Sequence, residues 1–161
     1  MQQLIVAVEE GAFKNAMSRF ASGVTVVTTA YDGHWHGLTV SAFSSLSLGP
    51  PLVLVCIEKS VKSHNAIARA EKFAVNILRA DQEPISARFA SRAEDKFAGI
   101  ATHTGMLGIP LIDGALANVE CRLHETLAGG DHTIFVGEVV AAEVADGEPL
   151  LYFRSAYRHL R

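Results

Sequence analysis

Hydroxyl side chains are concentrated in one segment of the chain, residues 37–51, which reads GLTVSAFSSLSLGPP. The segment contains no Lys, Glu or Arg, although polar residues of this kind usually occupy the wet face of a half-buried strand. Short hydroxyls and a nearly bare backbone suit a strand end that a flat, polar ligand approaches closely, because amides and hydroxyls can then bind its edge. By spacing alone, a Ser/Thr-rich strand and loop without a function fits equally well.

A second candidate is the segment EKSVKSH at residues 58–64, between an apolar run and the start of a predicted helix. The free amides and the positive dipole end of a helix N-terminus attract phosphate, and Ser60, Lys62 and Ser63 would add donors. The alternative is that Ser63 only caps the helix. The segment therefore predicts either a phosphate site or an ordinary helix start.

His132 is the third candidate, because it follows Asp131 at a turn that contains Gly129 and Gly130. A carboxylate beside an imidazole can orient the ring by a hydrogen bond. A turn histidine can equally be a solvated side chain. His34 and His36 have the i, i+2 spacing of a metal pair, but no further ligand lies near them in sequence, so we predict no metal site.

These candidates must be positioned by strands, since the apolar pattern is mainly of the β type. The turn Asp32-Gly33 predicts a hairpin, and Gly137 inside a long strand predicts a bulge. The uninterrupted apolar run 52–57 predicts a strand buried on both faces. In all, seven strands are predicted, which cover residues 24–29, 38–40, 52–57, 73–78, 116–127, 132–144 and 150–153.

Short helices are predicted between some of these strands. Apolar residues at helical spacing over 13–21 predict an N-terminal amphipathic helix. Ser63 and Asp81 are predicted N-caps of two further helices, and residues 91–94 have the form of a capping box before a last one. Seven strands with short helical inserts predict a mainly β fold, a closed antiparallel barrel with helices at its ends.

Composition limits the classes of function. The 161 residues are predicted to form one domain, 1–161, with 49% hydrophobic residues and a net charge of −3. The absence of a basic block argues against nucleic acid and against anionic membranes as partners. No apolar run reaches a membrane-spanning length, and residues 1–11 lack a signal-peptide pattern, so we expect a cytoplasmic protein. No Gly-x-Gly-x-x-Gly or P-loop motif occurs in the sequence.

The hydroxyl segment, with the preceding GVTVVTT at residues 23–29, resembles the flavin-site signature of the short-chain flavin reductases. These are the small NAD(P)H:flavin oxidoreductase components of two-component monooxygenases. The resemblance covers residue 13 to the C-terminus and includes FAVNIL at 73–78, FA at 89–90, DKFAG at 95–99, GDH at 130–132 and PLLYF at 149–153. It implies a flavin-binding split barrel, a homodimer, and hydride transfer from NADH or NADPH to FMN or FAD, with reduced flavin passed to a partner monooxygenase.

The resemblance also implies roles for individual residues. His132 would lie beside the flavin on the nicotinamide side, as the catalytic residue. Lys96 would lie near the flavin phosphates, Phe89 belongs to a matching block, and Ser60 and Ser63 match the phosphate-binding positions, although Glu58 and Lys59 replace the usual Asp or Asn and Arg. The complete set of predicted cofactor-binding residues is Thr39, Ser41, Ala42, Phe43, Ser44, Glu58, Lys59, Ser60, Ser63, His64, Phe89 and Lys96.

Two other functions fit the same architecture. One is a non-catalytic carrier or sensor that holds flavin permanently. The other is an oxidase of the pyridoxamine-phosphate type, but the block Gly130-Asp131-His132 favours the reductase.

Overall fold

β-strands dominate the computed structural model, which describes residues 7–161; the first part of the signal-peptide prediction, over residues 1–6, lies outside them. Three short helices and a 3₁₀ turn at Ala80–Gln82 interrupt the strands. In chain order the elements are α1 (Glu10–Met17), β1 (Ser22–Gly23), β2 (Thr25–Tyr31), β3 (His34–Val40), β4 (Phe43–Ser47), β5 (Leu52–Glu58), α2 (Lys62–Ala70), β6 (Lys72–Ile77), α3 (Glu83–Ala90), β7 (Thr102–Thr104), β8 (Pro110–Ile112), β9 (Ala117–Gly129), β10 (His132–Val144), β11 (Leu151–Phe153) and β12 (Ala156–Arg158).

One seven-stranded sheet, in the order β3-β2-β6-β9-β10-β5-β4, forms the frame of the molecule. All of its neighbouring strands are antiparallel. The predicted hairpin turn is confirmed, because Asp32 and Gly33 have φ values of 51° and 74° between β2 and β3, as a tight turn with two left-handed residues requires. The mainly β, antiparallel fold predicted from the sequence is therefore confirmed.

The bulge predicted at Gly137 is also confirmed. The register between β9 and β10 shifts between Val136 and Gly137. A Cβ atom at this position would lie 2.5 Å from Cζ of Phe73 and 2.6 Å from Cβ of Cys121. Glycine is required at this position because the side chains of Phe73 and Cys121 occupy the space that a Cβ atom would need.

The set of strands in this sheet differs from the seven strands that the sequence predicts. β4 is an edge strand of the sheet, whereas residues 151–153 pair instead with β1 and β12 in a separate three-stranded sheet. The two edge strands, β3 and β4, follow each other in the chain and are connected by Ser41 and Ala42. Within residues 7–161, no hydrogen-bonded ladder joins β3 to β4.

The core forms two main clusters. The larger lies between the sheet and α2 and includes Val55, Ile67, Phe73 and Phe135, each fully buried. The second lies under α3 and includes Phe89 and other residues fully or almost fully withdrawn from solvent: Val24, Val26, Leu78, Ile112 and Leu150. The first cluster holds α2 through Ile67, and the second holds α3 through Phe89.

Burial of β5 differs from the prediction. Val53, Val55 and Ile57 are buried, but Leu54 and Cys56 on the alternate face are only half-buried. The prediction of burial on both faces was therefore wrong: only the face of Val53, Val55 and Ile57 is covered, and Cys56 on the other face lines a cavity.

Three predictions of helix starts were also wrong. Ser63 is not the N-cap of α2, since the helix begins at Lys62, with extended Val61 before it and no side-chain cap. Asp81 lies inside the 3₁₀ turn and binds the guanidinium of Arg79 instead of capping α3. No helix follows residues 91–94, because Ser91 ends α3 and donates its hydroxyl hydrogen back to the carbonyl of Arg88. Within the described residues, no helix has both the length and the apolar character to cross a membrane.

Candidate active site

A cavity of about 930 Å³ runs along the free edge of β3. Its three walls are β3 with the following two residues, the segment from Cys56 to Ser63, and the segment from Phe89 to Phe97. His132 lies at the start of β10 and also lines the cavity. This volume is in the range of small-molecule and cofactor sites. An edge strand presents unpaired backbone N–H and C=O groups, so one wall can bind a ligand through its main chain.

The first wall contains the hydroxyl segment. Thr39 lines the cavity, and its hydroxyl donates to the carbonyl of Ser86 on α3 at 2.6 Å. Ser41 and Ala42 also line the cavity and are exposed. Phe43 and Ser44 are not part of the lining: Phe43 packs against the larger core cluster, and Ser44 donates to the carbonyl of Ser45. The wall is therefore formed by small side chains at the point where β3 ends.

The second wall contains the N-terminus of α2. The helix has no side-chain cap. The amide of His64 donates to the carbonyl of Val61 at 3.1 Å, so the amides of Lys62 and Ser63 are those that can bind an anion. Ser63 stands in this turn and lines the cavity with only 7% of its surface exposed. Ser60 also lines the cavity, but its hydroxyl donates to Oε1 of Glu58 at 2.5 Å. Lys62 adds an ammonium group to the same wall.

Two predicted residues of this segment point elsewhere. Nε2 of His64 lies 2.7 Å from Oγ1 of Thr133, and its ring packs edge-on against Phe135 at 5.2 Å. Lys59 is exposed and is not part of the lining. The structure therefore brings Glu58, Ser60 and Ser63 to the cavity, but not Lys59 and His64.

The third wall is held by Lys96 and Phe89. Nζ of Lys96 donates to the carbonyl of Phe89 at 2.9 Å and to that of Gly37 at 3.3 Å. Burial lowers the pKa of this ammonium group. Phe89 is fully buried, and a Cβ atom at Gly37 would lie 2.6 Å from its Cε1. The absence of a side chain at Gly37 thus allows β3 to lie directly on the phenyl ring.

His132 lies directly opposite Glu58 in the ladder between β10 and β5. Its Nδ1 is 2.7 Å from Oδ1 of Asp131, and its side chain is 43% exposed. The hydrogen bond from His132 lowers the pKa of the Asp131 carboxyl. An ionised carboxylate only accepts hydrogen bonds, so Nδ1 carries the hydrogen and Nε2 is the ring nitrogen left for a ligand.

Several lining residues were not predicted. Trp35, His36, Arg92 and Phe97 all face the cavity. Burial, together with the charges of His34 and Lys62, lowers the pKa of His36. The signal that could have found the first two is the Asp32-Gly33 turn, because it starts β3 at His34 and places residues 35 and 36 on the same strand as Thr39.

A second, smaller cavity of about 340 Å³ contains none of the predicted residues. It is lined by Ala70, Glu71, Lys72, Leu107, Arg122 and Leu123. Among residues 7–161, no group of three or more His, Cys, Asp or Glu side chains is placed to hold a metal ion.

Known proteins resemble this chain along almost its whole length. Residues 17–161 match the flavin reductase like domain. The reductase component of 4-nitrophenol 4-monooxygenase/4-nitrocatechol 2-monooxygenase from Rhodococcus opacus is 43% identical over 158 residues, which are 98% of this chain and 85% of that protein. The FMN reductase (NADH) SmoA of Agrobacterium fabrum is 43% identical over 146 residues, which are 91% of this chain and 83% of that protein.

The fold is likewise shared with a solved flavin reductase. The NADH:FAD oxidoreductase SgcE6 of Streptomyces globisporus, in complex with NAD and FAD fragments, superposes with a TM-score of 0.93 at 36% identity, covering 99% of this chain and 97% of that one. The resemblance stated from the sequence blocks is therefore confirmed: this chain belongs to the flavin reductase like family.

Proposed function

We propose that this protein is an NAD(P)H-dependent flavin reductase that delivers reduced FMN or FAD to a partner monooxygenase. The enzyme class, the flavin and the nicotinamide predicted from the sequence agree with the relatives, which are named FMN reductase (NADH), NADH:FAD oxidoreductase and monooxygenase reductase component. The observation that carries the proposal is the cavity, because residues from three distant family blocks, Ser41, Ser63 and His132, line it together.

The donor set of the cavity fits a flavin. At one end, the uncapped first turn of α2, the Ser63 hydroxyl and the Lys62 ammonium group suit a phosphate. Along the middle, the free edge of β3 and the small residues Ser41 and Ala42 leave room for a flat ring with polar edges. Cys56 and Ile57 also line the cavity.

A flavin in this cavity would supply the redox chemistry, since an oxidised flavin can accept a hydride from NADH or NADPH and one proton to give reduced flavin and NAD(P)⁺. The protein's residues bind and orient. Ser63 and the α2 amides hold the phosphate, and the hydroxyl of Thr39 is fixed on Ser86, so its oxygen can only accept. His132, whose ring is held by Asp131, faces the cavity where the nicotinamide would approach. Two of the three ammonium donors of Lys96 are bound to carbonyls, which leaves one for a ligand.

Phe43, Ser44, Lys59 and His64 stay proposed cofactor-binding residues, although they do not line the cavity. For Ser60, binding a phosphate requires its hydroxyl to leave the carboxylate of Glu58. The carboxylate of Glu58 would repel a phosphate at this point. Ser60 can donate a hydrogen bond to the phosphate only when its hydroxyl hydrogen turns away from Glu58.

A steady-state assay tests the function. Purified protein is given NADH or NADPH with FMN or FAD in excess, and oxidation is followed with and without enzyme. We expect turnover that rises with added flavin, as for an enzyme that treats flavin as a substrate. Stoichiometric reduction of tightly bound flavin, with no stimulation by added flavin in any of the four combinations, would instead establish the carrier.

A closed barrel is the finer architecture that we propose. Ser41 and Ala42 connect the two edge strands, and Ala42 accepts a hydrogen bond from the amide of Cys56 at 3.0 Å. These contacts support a sheet whose edges curve toward each other, with the split at the cavity.

We further propose a homodimer. Phe13 and Met17 on α1 are 53% and 55% exposed, and Phe20, three residues after the helix, is 83% exposed. Among the described residues, α1 buries none of its own side chains. Exposed apolar residues grouped in this way are typical of an interface. Light scattering at micromolar concentration should give twice the monomer mass, and a monomer mass would contradict this proposal. The cytoplasmic location expected from the sequence stays a prediction.

A further inference from the structure

Trp35 is the only tryptophan in the sequence, and it stands in the cavity with half of its surface exposed, 50%. Its ring packs edge-on against Phe97, with ring centroids 5.4 Å apart, and Phe97 packs in the same way on fully buried Phe89 at 4.9 Å. The indole is thus supported from the core, while the rest of its surface is available to a ligand. A large exposed aromatic in a cavity typically serves to stack a planar group.

The surroundings of Trp35 indicate which planar group. Lys62 and Arg92 line the same cavity, and Lys62 lies close enough to His36 to help lower the pKa of that imidazole. Glu58, Glu94 and Asp95 are the carboxylates of the lining. Cations and an aromatic ring that line one cavity suit a nucleotide, with its phosphates on the cations and its base on the ring.

Distance along β3 separates this aromatic pair from the proposed flavin-ring position. Trp35 is four residues before Thr39, and a strand rises about 3.3 Å per residue, so the two lie about 13 Å apart. A flavin ring at Thr39 to Ala42 therefore leaves Trp35 for a second base. FAD and NAD(P)H both carry such a base, an adenine, whereas FMN does not.

We propose that Trp35, braced by Phe97, binds the adenine ring of a dinucleotide in this cavity. The inference rests on the proposed function, because it takes FAD or NAD(P)H as the source of the adenine. It adds a residue that determines preference between dinucleotides and mononucleotides. Stacking of a base on an aromatic side chain corresponds to a change in affinity of about five-fold or more.

The first test uses ADP, which has the adenine and the phosphates but neither flavin nor nicotinamide. Because Trp35 is the only tryptophan, its fluorescence reports this position alone. We expect saturable quenching by ADP and none by inorganic pyrophosphate. Absence of quenching by ADP, or equal quenching by pyrophosphate, would overturn the proposal.

The second test identifies the source of the adenine. Dissociation constants are measured by calorimetry for FAD against FMN, and for NADH against reduced nicotinamide mononucleotide, in wild type, Trp35→Ala and Trp35→Phe. We expect Trp35→Ala to weaken one dinucleotide by about five-fold or more and to leave its mononucleotide within two-fold. Trp35→Phe, which keeps an aromatic face, should restore most of the loss.

The matched control is Tyr152→Ala, which removes a partly exposed aromatic that packs on Tyr157 at 5.5 Å and does not line the cavity. Its affinities should equal those of wild type. If Trp35→Ala weakens FMN as much as FAD, or changes no dinucleotide, the proposal is wrong. A protein that binds ADP at Trp35 but does not turn over NADH would refute the reductase and leave the adenine site intact; normal turnover without ADP binding would do the reverse.

Discussion

Polar side chains serve opposite purposes at two places in this fold. Beneath the β7–β8 hairpin, the buried amide of Asn76 donates to the carbonyl of Val26 and to Oγ1 of Thr28, and its Oδ1 accepts from the amides of Ile112 and Asn118. The buried carboxylate of Glu120 accepts from the backbone amides of Met106 and Leu107 at 3.0 and 2.9 Å. Each of these groups has its partners within the chain.

Internal pairing is incomplete at the cavity. α2 begins without a side-chain cap, β3 is an edge strand of the sheet within residues 7–161, and Trp35 is half exposed. Paired polar groups stabilise the fold, while accessible ones at a cavity bind a ligand. Substitutions beneath the β7–β8 hairpin should therefore change the stability of this protein, and substitutions at the cavity should change its function.

The largest effect on stability is expected for the buried polar groups beneath the β7–β8 hairpin. Asn76→Ala leaves the amides of Ile112 and Asn118 and the carbonyl of Val26 without this partner. Buried groups left unpaired cost about 1–3 kcal/mol each, so we expect the free energy of unfolding to fall by about 3 kcal/mol or more. Urea denaturation measures the loss. Flavin affinity of the folded variant should be unchanged, and a variant as stable as wild type would show that this network is not structural.

The next effect belongs to the phosphate end of the cavity. Ser60→Ala with Ser63→Ala removes two hydroxyl donors and leaves the ring region untouched. Loss of a hydrogen bond to a charged group costs about 1.5–3 kcal/mol, so flavin binding should weaken by roughly ten-fold or more. Turnover at saturating flavin should change little, since these groups bind ground and transition states alike. Ser63→Ala alone should give most of the loss, because Ser60 is bonded to Glu58. Equal flavin affinity in the double variant would move the phosphate elsewhere, with Lys96 the next candidate.

A smaller, complementary effect is expected at His132. His132→Ala should lower turnover or raise the nicotinamide KM by about two- to ten-fold, as for one lost hydrogen bond. Flavin affinity, measured by titration, should stay within two-fold. Asp131→Asn is the matched variant, because it keeps His132 but weakens the bond that orients the ring. Wild-type behaviour of His132→Ala in both parameters would make it a turn residue without a catalytic role.

The smallest effect is a pH dependence of stability that arises at His103 on β7. Hydrogen bonds to Asp113 and Glu143 raise the pKa of His103 above its ordinary value of 6.5. A group whose pKa is raised by folding stabilises the fold fully below its unfolded value and loses this contribution as pH rises through the folded value. Stability should therefore decline slightly above pH 6.5, and less so in His103→Gln. His124→Gln, on the exposed part of β9, should keep the decline. An identical pH profile for wild type and His103→Gln would contradict this assignment.

Much of the frame was predictable because local patterns decide it. Period-2 alternation of apolar and polar residues predicts β9, the Asp32-Gly33 turn predicts the β2–β3 hairpin, and Gly137 predicts the bulge. The helix starts predicted at residues 81 and 91–94 were wrong because Asp81 binds Arg79 and Ser91 donates to the carbonyl of Arg88. At residue 63 the error is one of position, since α2 already begins at Lys62. Short-range patterns cannot distinguish a cap from such a competing partner.

The predicted residues that line the cavity all lie in segments on which the family resemblance rests. Thr39, Ser63 and His132 line the same cavity, and Trp35 and Arg92, which also line it, were not among the predicted residues. Their position depends on how β3 and the turn after α3 approach each other, which is set by the packing of Gly37 on Phe89 and by Lys96. Contacts between segments far apart in sequence leave no local pattern.

The most direct measurement of the central claim is a crystal structure of the protein with FMN bound. We expect the phosphate at the first turn of α2 beside Ser63, the flavin ring along Thr39 to Ala42, and His132 at the edge of the ring. FMN bound instead in the cavity lined by Lys72 and Arg122, or outside the β3 cavity altogether, would contradict it.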